Sequence, residues 1–87
     1  MEIEIMIRDI RNYIIDEINF SKIFDPHTNI IEEGIIDSMG ILALVSFLES
    51  KYRIEIDLEE ITAENFATVN KIAEFVMNVW TREGNKR

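Results

Sequence analysis

The chain has no cysteine, one proline, three glycines and one histidine among its 87 residues. The missing cysteines exclude disulfides and a thiol nucleophile, while leaving the compartment open. One histidine and no clustered ligands leave no metal site, and the scattered glycines form no loop that could cradle a phosphate. His27, in a turn-rich segment, reads as a surface residue. No apolar run is long enough to cross a membrane. Met1 to Arg11 mixes acids and bases among its apolar residues, so it reads as structure rather than as a signal peptide. A cytoplasmic protein is the default expectation.

Bases are scarce in the middle of the chain. From Asp25 to Glu64, ten acids face only Lys51 and Arg53, so this span holds the entire net charge of −8; elsewhere seven acids balance seven bases. Such a surface repels nucleic acid and favours basic protein partners. The same charge would serve equally well as a solvated face that only keeps the protein soluble.

Apolar residues are plentiful: 47% of the chain is hydrophobic, with isoleucine dominant. Residues 1–87 read as a single domain, with a flexible basic tail at about 82–87. Ile3, Met6, Ile7, Ile10, Ile14 and Ile18 recur at steps of three and four, one stripe of an amphipathic helix. Ile41, Leu44, Val45, Leu48 and Tyr52 form a second stripe starting from Ser38. Val69, Ile72, Ala73, Val76, Val79 and Trp80 form a third, with Thr68 placed to cap it. Thr62 to Phe66 reads as one short helical piece, capped by Thr62, with Phe66 in the core. Ile54, Ile56 and Leu58 alternate, but that segment is too short and solitary for a sheet. The expectation is an all-α, small four-helix bundle of three main helices plus one short one.

Asn19 to Asp37 is a long connection for so small a domain. Asp25-Pro26, Asn29 and Gly34 mark turns, yet Ile23, Phe24, Ile30, Ile31, Ile35 and Ile36 are too apolar for a disordered tether. A long ordered loop between helices 1 and 2, strapped across the bundle, fits. It delivers Asp37-Ser38 to a helix start, where unpaired amides and the helix dipole favour a phosphate. A serine there exposes its hydroxyl beside a carboxylate. An Asp-Ser pair alone would equally be a simple helix cap.

The surrounding residues resemble the acyl carrier proteins and their peptidyl- and D-alanyl-carrier relatives. Glu33-Gly34-Ile35-Ile36-Asp37-Ser38-Met39 is similar to that family's phosphopantetheine attachment motif. Leu44, Val45, Leu48, Glu49 and Tyr52 match its second helix, and Ile54-Glu55-Ile56 the linker that follows. Ile61 to Val69 resembles its third helix and the start of the fourth. The resemblance implies a 4′-phosphopantetheine arm from coenzyme A attached to Ser38 by a phosphopantetheinyl transferase, with Asp37 helping to hold that enzyme's metal. It implies a carrier without catalytic machinery that holds an acyl or aminoacyl group as a thioester. A loading enzyme and a downstream synthase or transferase would be its partners. The chain reads as free-standing and monomeric, with partners supplied in trans.

Two positions depart from the resemblance. Where many fatty-acid carriers have acids soon after the serine, this chain has Gly40 and Ala43. That favours a specialised cargo, an amino acid or a secondary-metabolite acyl chain. At about 100° per residue, Met39, Leu42, Ala43 and Ser46 fall on the outer side of the second helix, which carries no charge before Glu49. These four are the expected partner-binding face, unless the isoleucine-rich loop covers them. The rival reading is an unmodified acidic helical bundle that binds proteins non-covalently.

Overall fold

The structure, a computed structural model, describes residues 2–19 and 24–83. Helix α1 spans Ile3–Tyr13, α2 Ser38–Tyr52, α3 Ala63–Phe66 and α4 Val69–Arg82. The described residues contain no strand, and the all-α architecture of three main helices and one short one is as the periodicity implies.

Helices α2, α3 and α4 begin where the sequence supplies a capping side chain; α1 starts after Glu2 without one. Thr62 accepts a hydrogen bond from the Asn65 amide (3.2 Å) and starts α3; Thr68 accepts from Lys71 (3.0 Å) and starts α4. The stripes converge on one core. Met6, Ile10 and Ile14 from the first helix meet Leu44 and Leu48 from α2 and Val69, Ile72, Val76 and Val79 from α4. Phe66 is buried as expected and tilts against Phe75, 5.6 Å between ring centroids. Phe75 lies outside the predicted α4 stripe but widens the buried face. After Tyr13 the first helix loosens into a π-helical turn, Ile14–Ile18, closed by the Asn19 amide on the Ile14 carbonyl (2.8 Å).

The described part of the long loop is held at many points. Phe24, Ile30, Ile35 and Ile36 are buried. Ile30 donates to the Ala67 carbonyl (2.8 Å), and the Asn70 amide donates to Pro26 (3.1 Å), tying the loop to α3 and α4. Arg11 reaches across from α1 to the Phe24 carbonyl (2.6 Å). Asp25 accepts from the His27 amide (2.7 Å), a bond that lowers its pKa. Gly34 takes the left-handed φ of +72° that turns the chain back towards Ile35. Ile23, counted among the apolar residues of this loop, lies outside the described residues.

Two expectations need correction, at Ile41 and at the tail, and two residues do more than the sequence indicates. Ile41 sits at the edge of the core rather than in it, because the short α3 does not reach over it. Leu58 does not continue the inward alternation of Ile54 and Ile56. Asp57 and Glu60 cap each other reciprocally, making Leu58–Glu60 a single 3-10 turn that turns Leu58 outward, 79% exposed. Glu49 is not simply an acid at a helix end: its Oε2 accepts from the buried-side Ile56 amide (2.9 Å) and pins the linker. The tail does not begin at residue 82. Arg82 closes α4 and pairs with Glu60 (3.2 Å), and Glu83 accepts from the Glu55 amide (3.4 Å). The remainder of the expected tail, 84–87, lies outside the described residues.

Candidate functional site

Ser38 is the first residue of α2, but it is not the cap. Asp37, in extended conformation, takes that place: its Oδ1 accepts from the Gly40 amide at 2.9 Å, and its carbonyl accepts from Ile41 at 2.8 Å. The simplest reading of Asp-Ser, that Ser38 only caps a helix, therefore fails. Its hydroxyl is exposed and has no hydrogen-bond partner among the described residues. The Ser38 and Met39 amides, at the open end of the helix, have no intrahelical acceptor either. An attached phosphate would find two free donors and the positive end of the helix dipole. Nothing among the described residues stands within hydrogen-bond reach of the hydroxyl to take its proton.

Gly40 explains how the loop and helix fit together. A Cβ there would stand 2.7 Å from Ile36 Cγ1 and 3.2 Å from Ile18 Cγ2. The residue is buried, so it belongs to the junction of loop, α1 extension and α2. Position 40, where many fatty-acid carriers hold an acid, faces inward in this chain, and no side chain there could meet a partner.

Beside Ser38 runs an open groove of about 460 Å³ between α2 and α3. Ile31 of the loop, Ile41 and Leu42 of α2, Leu58 and Ile61 of the linker, and Phe66 supply its apolar lining. Sequence reasoning missed Leu58, Ile31 and Ile61 as parts of this site. The Asp57-to-Glu60 spacing was the signal for the turn that exposes Leu58.

The four residues expected on the outer face are all exposed, Met39 by 75% and Leu42 by 54%, and the described part of the loop does not cover them. They are not one cluster. Leu42 lies in the groove with Ser38. Ala43 and Ser46 belong to a shallow depression on the other flank, where Tyr13 stacks on Phe47 with centroids 4.1 Å apart. The Tyr13 hydroxyl donates to the Ala43 carbonyl (3.4 Å), locking α1 to that flank.

A bundle that holds one unpartnered serine at a helix mouth, beside an open apolar groove, offers a handle for covalent attachment. Comparison with known proteins agrees: the family described as "Phosphopantetheine attachment site" matches residues 8–76. Among curated proteins, the chain is 34% identical to the D-alanyl carrier protein of Streptococcus thermophilus over 64 residues, 72% of this chain and 81% of that protein. It is 33% identical to the D-alanyl carrier protein of Streptococcus gordonii over the same shares. It is 36% identical over 55 residues to the "Probable acyl carrier protein PigG" of Serratia sp., covering 63% of each. The chain belongs to the phosphopantetheine-attachment family of carrier proteins. It is a carrier that presents acyl or aminoacyl groups on a 4′-phosphopantetheine joined covalently to a serine. Such carriers are generally non-catalytic and work with a phosphopantetheinyl transferase and loading enzymes. No helix among the described residues is long and apolar enough to cross a membrane.

Proposed function

We propose that Ser38 is the attachment point and that residues 1–87 act as a single, monomeric carrier domain in the cytoplasm, loaded and unloaded in trans. The observation that carries this reading is the exposed, unpartnered hydroxyl at the first position of α2, next to the apolar groove. Ser46 and Ser50 are also exposed, but they stand inside α2, where the backbone amides are already committed to the helix. Ser21, the other serine, lies outside the described residues.

Attachment breaks the pyrophosphate bond of coenzyme A. Ser38 Oγ forms the new bond to phosphorus, its proton goes to the transferase's base, and 3′,5′-adenosine bisphosphate leaves. Asp37 keeps Oδ1 on the Gly40 amide, and its other oxygen is free to reach a metal held by the transferase. The attached arm supplies a terminal thiol that holds the cargo as a thioester. The helix-end amides of Ser38 and Met39 would hold its phosphate. Ile41, Leu42 and Leu58, which line the groove beside Ser38, would give the arm an apolar wall. Partner enzymes meet α2 on two flanks, Met39 and Leu42 beside Ser38 and Ala43 and Ser46 on the other, recognised by packing because α2 offers them no charge before Glu49. An amino acid or a specialised acyl chain is the favoured cargo. The D-alanyl carrier relatives support an amino acid, and the absence of acids on the outer face of α2 sets the chain apart from general fatty-acid carriers.

Incubation with a broad-specificity phosphopantetheinyl transferase and coenzyme A tests the assignment. Intact mass should rise by one phosphopantetheine, and Ser38→Ala should abolish the gain. Modification of Ser46 or Ser50 instead would overturn the site. An unshifted wild-type mass, with an enzyme active on a control carrier, would leave the unmodified interaction module as the better reading.

A further inference from the structure

The Ser38 hydroxyl has no partner among the described residues to fix it, so its place depends on the backbone that carries it. The last residue of the π-helical turn and the one after it grip that backbone on either side of the serine. Asn19 donates from Nδ2 to the Ile35 carbonyl at 3.1 Å, ahead of Ser38 and 16 residues away in the chain. Its neighbour Ile18 lies against the first turn of α2: a Cβ on Gly40 would stand 3.2 Å from Ile18 Cγ2. The other bonds to this stretch are local. Ile35 and Ile36 both donate to the Ile30 carbonyl (2.9 and 3.1 Å), and Asp37 accepts from Gly40 and Ile41 of the helix it starts. Among the described residues, the Asn19 carboxamide supplies the one hydrogen bond that reaches residues 34–36 from outside the segment 30–36.

The grip depends on the π-helical turn. Its closing bond runs from the Asn19 amide to Ile14, five residues back rather than four. That longer turn swings Ile18 and Asn19 off the line of Met6, Ile10 and Ile14 and towards the loop and α2. Single π-helical turns of this kind are frequent at functional sites. The backbone of Asn19 does not call for asparagine: φ −147° and ψ 84° are not the left-handed values that favour it at a helix end. What this position uses is the carboxamide. Resting on the carrier reading of Ser38, we propose that Asn19 is a positioning residue for the attachment step. By holding the Ile35 carbonyl it sets where Ser38 Oγ stands against the phosphorus of coenzyme A. The new O–P bond must form in line with the departing 3′,5′-adenosine bisphosphate, and a misplacement of about 1 Å can cost about a hundredfold in such a step. The exposed flanks of α2 lie outside this grip. Losing it therefore slows the chemistry and leaves docking intact.

The test uses the full chain, a broad-specificity phosphopantetheinyl transferase and coenzyme A, at a temperature well below every melting point. Asn19→Ala removes the carboxamide and leaves Asp37, Ser38 and α2 untouched. Val79→Ala, in the buried face of α4, loosens the core without touching the loop or α2. Asn19→Ala should lower kcat for Ser38 modification by about fivefold or more while KM stays within about twofold. Its amide NMR signals should shift at Ile36, Asp37, Ser38 and Met39 and hold still along α4. Val79→Ala should melt earlier than the wild type and keep kcat within about twofold. An unchanged kcat in Asn19→Ala would overturn the proposal. So would equal kcat losses in both variants, which would reduce the effect to general loosening, or a loss confined to KM, which would make Asn19 a docking residue. Circular dichroism checks folding. If Asn19→Ala does not fold, Asn19→Asp, which keeps the shape and lacks the Nδ2 donor, should show the same loss in kcat. Failure of the carrier reading looks different, because the wild type would then gain no mass from a transferase active on a control carrier.

Discussion

Asp37 is fastened to Gly40: its Oδ1 accepts the Gly40 amide at 2.9 Å, so the carboxylate next to Ser38 is held by the helix it starts. One side chain therefore has two separable duties. Asp37→Asn keeps an oxygen for the amide and loses only the charge, and aspartate and asparagine cap about equally well. Its melting point should match the wild type, while modification of Ser38 slows at least tenfold if the free oxygen serves the transferase's metal. Asp37→Ala should in addition lose about 1 kcal/mol of stability. Wild-type modification of Asp37→Asn would reduce Asp37 to a cap.

Gly40→Ala should destabilise the protein even though it improves helix propensity by about 1 kcal/mol. The added methyl would meet Ile36 at 2.7 Å and Ile18 at 3.2 Å; Ile36 is buried in the core and Ile18 packs against it. Overpacking of this kind costs about 1–3 kcal/mol. Gly40→Glu should be worse still, and should not improve docking of any basic partner. A thermal melt decides the matter: a higher melting temperature for Gly40→Ala would show that the junction has slack.

Met39→Glu and Leu42→Glu should leave helical content and melting point nearly unchanged, because both side chains are mostly exposed. Both should weaken loading by the cognate enzyme by about 1 kcal/mol or more, as interface anchors do. Leu42→Glu should be the more harmful, since Leu42 lines the groove with Ser38 and Met39 does not. Equal loading rates for both variants and the wild type would move the docking face elsewhere.

Much of this architecture was legible in the sequence because helical periodicity and capping are local. Thr62, Thr68 and the three-four spacing of isoleucines and valines needed no knowledge of the fold. The Gly34-to-Met39 motif pointed to Ser38 before its exposure was known. The illegible features depend on what lies across space. Gly40 reads as an exposed weak point until Ile18 and Ile36 are seen against it. Glu49 reads as surface charge until the linker amide of Ile56 turns back onto it. Leu58 alternates with Ile54 and Ile56 in sequence, and only the turn closed by Asp57 and Glu60 sends it outward.

Tyr52 closes α2 with its ring buried and its hydroxyl without a partner among the described residues. A buried hydroxyl left unsatisfied costs about 1–3 kcal/mol, so Tyr52→Phe should match or exceed wild-type stability near neutral pH. Burial, reinforced by the charge of Asp9, pushes the Tyr52 pKa up from 10.0 to about 12. The unfolded chain then releases this proton first, near pH 10, while the folded chain still holds it. With fewer protons bound in the unfolded state, folding stability falls as pH rises through that window, and below it the group contributes no pH dependence. The phenylalanine variant lacks this loss. Its stability advantage over the wild type, measured by denaturant unfolding, should widen between about pH 9 and pH 11.5. Parallel curves for the two proteins would mean that the hydroxyl ionises as readily in the folded chain as in the unfolded one, and that water reaches it.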